Sequence, residues 1–591
     1  MEDYRRETEH FLTQETQFHL GMLPTEQSHP KTRGLAETLQ ADCAAGVRML
    51  RAVDEDVAAV ARRVLGGPEW ERLVTTLAET VISGGRVCFS GCGATGRLSI
   101  QLEAMWRWFW RDLARKSPAA APVAAQMADR LCSIMTGGDY ALIRSVEGYE
   151  DYVSFGRQQV IEAGLSADDV LVAISEGGET SSVIGTIMES NDRGLSTFFV
   201  FNNPAAILSE HIARSKEVIQ DPRVIVLDIA SGPMALTGST RMQATTGELL
   251  IVGAALETAL IRVLPRVLPA EVLSALPSEW LVPTDGAARF QALLADLAGP
   301  EAVAAMVDWI DLEHELYAAD GRITYYAGDC LLDIFTDTTE RAPTFMLPPF
   351  RKCDDRVSQP SWAFVKDPLR PTPEAWLTVL GREPRCLEWE PALYRTLGAA
   401  DRISDNPPLL GRQELMKFLI GAEADPSRTE VEPNAAMAVI VASELGRADW
   451  SEAFGRAAEP FRRRLATVIG DAPGAIAGAE ETLHVPCRLT STPLALWDRL
   501  AAKLVLNTVS TATMGKLGRL VSNWMANVET SNKKLIDRGT RLVAELSGLD
   551  YATACLELHR TIAQQRATAK PGDPRVSPVA ETVRRLGGPR E

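Results

Sequence analysis

The alternation of apolar and polar residues changes near residue 85 of this chain. Before that point, residues 37–80 carry apolar side chains at helical spacing, with Val47, Leu50 and Val57 as examples. From 85 to 264, short apolar runs alternate with stretches of helical periodicity, and the runs fall at 87–89, 170–174, 198–201 and 224–228. Strands separated by helices at this spacing predict a parallel sheet in an α/β fold.

The second half of the chain repeats this pattern more loosely. Its strand candidates lie at 323–327, 362–365, 376–380 and 436–442. From 494 to about 568 the pattern is helical, and a polar tail that contains Pro and Gly follows. We expect this tail to be mobile.

Two segments of the first half recur in the second half. Residues 85–89 match 321–325, and residues 237–250 match 490–505. A repeat of this length indicates a duplicated domain rather than a solenoid. We predict a helical segment at 1–84 that packs on the first sheet domain, sheet domains at 85–285 and 286–493, and a helical lid at 494–591.

Composition excludes several classes of function. A net charge of −17 argues against a general nucleic-acid binder or a protein of anionic membranes. No apolar run reaches the roughly 18 residues of a membrane span, and the first residues lack the apolar core of a signal peptide. The nine cysteines form no C-x-x-C pair, which favours reduced thiols and a cytoplasmic protein.

A glycine-rich turn, residues 91–97, follows the first strand and opens a helix. Glycines let the backbone pass close to a ligand, and the amides at a helix start attract anions. The turn is neither a Walker loop nor a full dinucleotide fingerprint. It therefore predicts an anion site of unspecified ligand.

Two further loops of the first half carry hydroxyl groups after strands. Ser175 and Thr180 flank one loop, and Ser239 and Thr240 lie in the other. These hydroxyls are either simple helix caps or contacts to a phosphate. Three such loops in one α/β domain favour a shared ligand site at the carboxyl ends of the strands.

Five segments carry a resemblance to a known family. They are residues 25–32 (TEQSHPKT), 90–97 (SGCGATGR), 147–151 (EGYED), 237–242 (TGSTRM) and the region from Lys503 to Leu535. The chain resembles sugar isomerase (SIS) domain proteins, among them the N-acetylmuramic acid 6-phosphate etherases and, above all, the glucokinase regulatory protein family. This resemblance implies two flavodoxin-like SIS domains, each a parallel sheet flanked by helices, and an all-helical C-terminal lid. The etherases have one copy per chain and pair as homodimers, so this chain is expected to contain its own pseudo-dimer.

The resemblance also implies a sugar phosphate of the fructose 6-phosphate type as the ligand of the first SIS domain. Arg519 of the lid is expected to supply a cation to the phosphate, and Glu147 to contact the sugar. Ala94, Gln243 and Gly177 depart from the residues usual in the family. The expected ligand-binding residues are Gly93, Thr95, Gly96, Glu147, Ser175, Thr180, Ser239, Thr240 and Arg519.

Catalysis in this family requires a general base that removes the proton at C2 of the open-chain sugar. In the etherases one glutamate lies on the helix after the glycine loop, where this chain has Met105. Glu103 is a poor substitute because two residues turn a helical side chain by about 200°. Glu147 preserves the other etherase glutamate.

The second copy differs from the first in its glycine loop and in the glutamate of the helix that follows this loop. Asp329 stands in its degenerate glycine loop, so we predict that this copy has lost phosphate binding. Residues 339–345 nevertheless resemble the etherase segment around the first glutamate, with Glu340 in its place. Glu340 is either a remnant or, if the pseudo-dimer brings it to the first-half site, part of a composite active site.

Two classes of function remain open. We favour a non-catalytic sugar-phosphate sensor, and the resemblance implies a sugar kinase as its partner. The alternative is an enzyme, either an etherase that eliminates lactate from N-acetylmuramic acid 6-phosphate or an aldose–ketose isomerase, with Glu147 and Glu340 as catalytic residues. The seven histidines form no metal-binding motif, and we expect neither a metal nor a cofactor.

Overall fold

Two parallel sheets form the centre of the molecule. The structure is a computed structural model, and it describes residues 3–146, 148–441, 448–472, 474–528, 530, 532–568 and 576–587. It confirms the predicted α/β architecture of two sheet domains with helices on both faces and a helical C-terminal region.

Four helices precede the first sheet. The apolar face of α3 is buried, including Val47, Leu50 and Val57 as its spacing predicts. Asp42 caps its first turn by accepting a hydrogen bond from the amide of Ala45. The helices are α1 (Asp3–Gln14), α2 (Leu35–Ala41), α3 (Cys43–Val64) and α4 (Pro68–Ser83).

The first sheet has the strand order β2-β1-β3-β4-β5, and all of its neighbours pair in parallel. Sequence analysis missed β2, whose five residues follow a short helix directly. The elements are β1 (Val87–Gly91), α5 (Gly93–Lys116), α6 (Ala121–Ala128), β2 (Leu131–Met135), α7 (Tyr140–Ile143), α8 (Val153–Glu162), β3 (Val170–Ser175), α9 (Ser181–Asp192), β4 (Ser196–Phe201), α10 (Ala205–His211), α11 (Ala213–Ile219), β5 (Val224–Asp228) and α12 (Gln243–Val267).

Three helices connect the two sheets: α13 (Ala270–Ala275), α14 (Gly286–Leu297) and α15 (Pro300–Ala318). Among the described residues, no single helix is long and apolar enough to cross a membrane, although the bent pair α14 and α15 passes that test by length and composition.

The second sheet repeats the topology of the first. Its order is β10-β9-β8-β6-β7, which becomes 2-1-3-4-5 when its strands are numbered from β6. The strand predicted at 376–380 is wrong, because these residues belong to α17. The elements are β6 (Arg322–Tyr326), α16 (Leu331–Phe345), β7 (Ala363–Lys366), α17 (Thr372–Leu380), α18 (Pro391–Thr396), α19 (Asp401–Ser404), α20 (Arg412–Leu415), α21 (Pro426–Thr429), β8 (Asn434–Val441), α22 (Ala448–Ala458), β9 (Arg463–Gly470), β10 (Glu481–Pro486) and α23 (Leu496–Lys516).

The C-terminal region contains a short antiparallel hairpin and three helices. The expected mobile tail holds α26, which buries Val579 and Val583; the rest of that tail, 569–575 and 588–591, lies outside the described residues. The elements are β11 (Leu520–Val521), β12 (Trp524–Met525), α24 (Lys533–Ser547), α25 (Tyr551–Thr568) and α26 (Pro578–Arg585). The described residues also form six 3-10 helices: Thr16–Phe18, Pro24–Glu26, Pro30–Thr32, Pro118–Ala120, Tyr149–Asp151 and Ser278–Leu281.

The two sheet domains meet through helices α5, α12, α16 and α23. Trp108 of α5 donates its indole N–H to the carbonyl of Thr378 at 2.8 Å. Glu103 of α5, which is 1% exposed, accepts hydrogen bonds from Arg382 and Arg385 of the second domain. Glu103 is therefore a structural ion-pair residue, which agrees with the expectation that it is a poor catalytic base.

Candidate functional site

The carboxyl ends of the first sheet's strands gather the three predicted loops. Strand β1 lies between β2 and β3, so the chain leaves it toward α5 at the point where the strand order reverses. The loops after β1 and β3 open α5 and α9, and the loop at 237–242 opens α12. Ligands of open α/β sheets bind in the crevice at such a point.

The glycine loop after β1 is shaped by close packing on one side and open space on the other. A Cβ at Gly91 would lie 2.4 Å from the carbonyl carbon of Thr95, so only glycine fits there. Gly93 has a φ of 56°, and a Cβ at this position would meet nothing within 4 Å. The loop therefore presents free space above the start of α5, where an anion could approach.

Several predicted site hydroxyls are engaged within their own loops. The Thr95 hydroxyl donates to the Cys92 carbonyl at 2.9 Å and accepts from the Cys92 amide at 3.1 Å. Ser175 Oγ donates to Thr180 Oγ1 at 3.2 Å and accepts from the Gly178 amide. The Thr95 bonds belong to the capping box of α5, whereas Thr180, the N-cap residue of α9, makes no side-chain capping bond. Contact of these groups with a ligand stays a prediction.

The third loop lies beneath the C-terminal region. A Cβ at Gly238 would lie 2.2 Å from Nε of Arg538 in α24, so this glycine allows the helix to approach the loop. Ser239 is buried and Thr240 is half-buried. Their predicted ligand contacts also stay untested.

Helix α24 brings cations over the loops of the first sheet. Lys534 Nζ lies 2.6 Å from Glu179 of the loop after β3. Arg538 donates two hydrogen bonds to the carboxylate of Glu26 in the N-terminal segment. Burial alone would raise the pKa of Glu26, but Arg538, Arg541 and Lys534 together lower it to about 2. The N-terminal segment and α24 are thereby held together across the site.

A central cavity of about 20 Å³ lies between the two sheet domains, where α5, α12, α16 and α23 meet. Both halves of the repeat contribute to it, because Ala94 of the glycine loop and Glu340 of α16 both line this cavity. The central cavity is lined by Ala94, Leu98, Gln101, Arg241, Thr245, Leu249, Asp333, Thr336, Asp337, Glu340, Lys503 and Asn507.

Glu340 reaches the first-half site from the second domain. Its Oε1 forms an ion pair with Nη1 of Arg97, which lies at the end of the glycine-rich turn, one helical turn after Gly93, and is fully buried. Arg97 is fixed in turn by the carbonyls of Ala141 and Leu142, at 2.8 and 3.0 Å. Glu340 thus links the two domains, and its part in a composite active site stays a prediction.

Asp337, one turn before Glu340, ties the cavity walls together. It accepts hydrogen bonds from Arg241 of the first domain, Arg341 of its own helix, and Asn507 and Ser510 of α23, each at 2.9 Å. Arg341 and Arg241 oppose the effect of burial and lower the pKa of the Asp337 carboxyl.

Lys503 is a cavity residue to which sequence analysis assigned no role. Its ammonium donates to the Arg241 carbonyl at 2.7 Å and to Asn507 Oδ1 at 2.8 Å. Burial, and then the charge of Arg241, lower the pKa of Lys503 to about 8. The resemblance of the segment that begins at Lys503 was the one signal in the sequence that could have indicated it.

Glu176 is a second carboxyl group that sequence analysis missed. It follows Ser175 directly and is half-buried. Burial raises the pKa of Glu176 to about 7, with the charge of Glu340 acting in the same direction and Lys534 opposing. A carboxyl group with this pKa can donate or accept a proton near neutral pH.

The degenerate loop of the second copy is occupied by protein groups. Arg499 of α23 donates to the Asp329 carbonyl and, at 2.6 Å, to Asp333. Its guanidinium also lies over the Trp108 ring, 5.0 Å from the centroid. The loss of phosphate binding in the second copy stays a prediction.

None of the eight predicted ligand-binding residues that the structure describes lines the central cavity; of the predicted site residues, Glu340 does. Arg519 lies with its Cζ 5.3 Å from the ring centroid of Trp362 in the second domain. Glu147 lies outside the described residues. Their expected contacts with phosphate and sugar stay predictions. Among the residues that the structure describes, no three His, Cys, Asp or Glu side chains form a group that could hold a metal ion.

Comparison with known proteins adds independent findings. Residues 70–191 match the model of the glucokinase regulatory protein N-terminal SIS domain. The chain is 30% identical over 259 residues to the N-acetylmuramic acid 6-phosphate etherase of Mesorhizobium japonicum, covering 43% of this chain and 72% of that protein. It is 27% identical over 244 residues to N-acetylmuramic acid 6-phosphate etherase 1 of Bacillus licheniformis, covering 41% of this chain and 70% of that protein.

A similar solved structure is the C-terminal domain of glucosamine-fructose-6-phosphate aminotransferase from Francisella tularensis. It shares 11% identity at a TM-score of 0.40 and covers 78% of this chain and 93% of that chain.

Proposed function

This chain belongs to the family of the N-acetylmuramic acid 6-phosphate etherases, and from this premise we propose that it is a carbon–oxygen lyase acting on a phosphorylated sugar. The substrate is N-acetylmuramic acid 6-phosphate, and the group released is lactate. The active site is composite: the first domain holds the phosphate, and the second domain supplies Glu340.

The position of Glu340 carries this proposal. The sensor interpretation rested on Met105, which is 2% exposed in the core and leaves the first domain without its helical glutamate. Glu340 and Ala94 line the same cavity, and Glu340 also forms an ion pair with Arg97 of the first domain. The carboxylate that one copy lacks is therefore available from the other copy.

The reaction needs one group that accepts a proton and one that donates a proton. We assign Glu340 as the base that removes the proton from C2, next to the C1 carbonyl of the open-chain sugar. The C–H electron pair forms a double bond between C2 and C3, the C3–O bond breaks, and its electrons leave with lactate. Glu176, with its pKa of about 7, donates a proton to the departing oxygen. Glu147 is the other candidate for this second role, from family resemblance.

Phosphate recognition falls to groups around the glycine loop. The open space above Gly93 lies at the start of α5, whose dipole attracts an anion. Lys503 adds a cation at the cavity wall. None of the nine cysteines, all of which the structure describes, forms a disulfide, and this supports the reduced, cytoplasmic setting that we propose for the enzyme.

A sensor of fructose 6-phosphate is the second candidate. The match of residues 70–191 to the glucokinase regulatory protein domain favours it, as does the contact of α24 with the loops, because a helical lid could report ligand binding. A sugar kinase is the partner that this candidate requires.

Two incubations separate the candidates. The pure protein is mixed with N-acetylmuramic acid 6-phosphate or with fructose 6-phosphate, and lactate release and sugar isomerisation are followed along with thermal unfolding. The etherase proposal expects lactate from the first substrate only. A rise of the unfolding temperature with fructose 6-phosphate, together with no turnover of either sugar, would support the sensor and contradict the enzyme. Isomerisation of fructose 6-phosphate without lactate release would support the isomerase instead.

A further inference from the structure

Helix α16 separates the central cavity from a second, larger cavity of about 100 Å³. Successive helical residues turn by about 100°, so Thr338 and Ala342 lie on the side opposite Asp337 and Glu340. We call this space the rear cavity. It is lined by Ile143, Arg144, Ser145, Tyr317, Thr338, Thr339, Arg341, Ala342, Pro343, Met346, Leu347, Pro348, Pro349, Phe350, Ser361, Trp362 and Ala363.

Two buried hydroxyl groups of the rear cavity have no hydrogen-bond partner in the described part of the chain. They belong to Thr338 and Thr339, which are 4% and 5% exposed. Thr336, on the other side of the helix, satisfies its hydroxyl with the Leu332 carbonyl at 2.9 Å. Since a buried hydroxyl is costly without a partner, these two groups indicate a polar occupant of the cavity.

Two cations line the rear cavity, and one of them has no counter-charge among the residues that the structure describes. Arg341 is neutralised by Glu313 and Asp337, at 3.0 and 2.9 Å. Arg144 is half-buried, and its guanidinium forms no ion pair or side-chain hydrogen bond with any residue that the structure describes. One free guanidinium matches one negative charge, and its planar fork fits a carboxylate.

We propose that the rear cavity is a second binding site, separate from the sugar-phosphate site, for a small hydroxycarboxylate. The carboxylate pairs with Arg144, the hydroxyl bonds with Thr338 or Thr339, and the short carbon chain packs on Met346 and Trp362. A phosphate dianion fits less well because Arg341 is already neutralised by Glu313 and Asp337, so Arg144 would compensate one of its two charges. The site itself does not depend on the proposed reaction, which only suggests lactate as the probe.

Titration of the full-length protein with sodium D-lactate, followed by calorimetry or by ligand-observed NMR, tests this site. We expect saturable binding that Arg144→Gln weakens about tenfold or more, because it removes a charge-assisted bidentate contact. The double variant Thr338→Val, Thr339→Val should also bind more weakly. Thr513→Val is the matched control: it removes another buried, unpartnered threonine hydroxyl outside the cavity and should bind lactate like the wild type.

The variant Glu340→Gln keeps this test distinct from the test of the proposed function. It should abolish turnover yet bind D-lactate like the wild type, since Glu340 lies in the central cavity. Weaker lactate binding by this variant would move lactate to the central cavity and overturn the proposal. Binding that is unchanged in the Arg144 and threonine variants, an absence of lactate binding, or a preference for inorganic phosphate would overturn it as well.

Discussion

Asp337 is the residue whose removal should damage the junction of the two domains most. Its carboxylate is 3% exposed and binds two guanidinium groups, Arg241 of the first domain and Arg341 of the second. Asn507 and Ser510 donate two more hydrogen bonds to it. Substitution of Asp337 by Ala removes four hydrogen bonds and leaves both guanidinium groups buried.

The partners that remain to the two arginines set the size of the expected loss in the free energy of unfolding. Breaking a buried ion pair by removing one partner costs about 3–5 kcal/mol, since a charge stays buried without compensation. Arg341 keeps Glu313, and Arg241 keeps the hydroxyl of Thr511 at 2.7 Å, so these cations retain some partners. We therefore expect Asp337→Ala to lower the free energy of unfolding by about 3 kcal/mol, the low end of that range.

Denaturant titration with far-UV circular dichroism measures this loss. Asp112→Ala is the matched control, because Asp112 also binds two cations, Arg115 and Lys116, but in a pair of largely exposed contacts. Exposed ion pairs contribute about 0–1 kcal/mol, so the control should unfold almost like the wild type. Equal losses in the two variants would refute the view that Asp337 stabilises the junction through buried charges.

Three further predictions concern the site. Gly93→Val should abolish the thermal shift caused by N-acetylmuramic acid 6-phosphate. Gly164→Val is the control and should retain the shift, because Gly164 has a similar φ of 60° and similar open space around its Cβ. Equal shifts in the two variants would contradict phosphate binding at the glycine loop. Burial and Glu340 make folded Glu176 hold a proton that the unfolded chain releases, so the wild type should lose stability as the pH rises from 4.5 to about 7. Glu176→Gln should reduce this loss, and an unchanged pH profile of unfolding would refute the assignment. Affinity for the sugar phosphate should fall above about pH 8 as Lys503 loses its proton, and Lys503→Met should show no such fall in a calorimetric titration; a parallel fall in both proteins would exclude Lys503 as the titrating group.

The sheets could be predicted where apolar runs are bounded by clear turns. The run at 376–380 shows why the rest of the sheets could not be predicted: its four apolar residues and one threonine fit a strand or a helix equally well. Pro373 in the first turn of α17 and Gly381 at its end, with a φ of 67°, mark the helix. Strand β2 was missed because Ser133 interrupts its apolar pattern, although all five of its residues are buried.

The candidate site was predictable only as far as its local motifs extend. The glycine loop and the hydroxyl loops are contiguous in sequence, so their chemistry can be read there. The contact between Arg97 and Glu340 joins residues 243 positions apart, and only the packing of α16 against α5 brings them together. Lys503 and Glu176 likewise gain their shifted pKa values from burial, which the sequence does not specify.

The composite active site is tested most directly by the rate of lactate release from N-acetylmuramic acid 6-phosphate in the wild type and in Glu340→Gln. Glu374→Gln, at an exposed position of α17, is the control. The account predicts that the wild type and Glu374→Gln release lactate at equal rates, whereas Glu340→Gln loses at least about 100-fold in rate while its thermal shift with the substrate persists. Lactate release by Glu340→Gln at the wild-type rate, or no release by the wild type, would contradict the account.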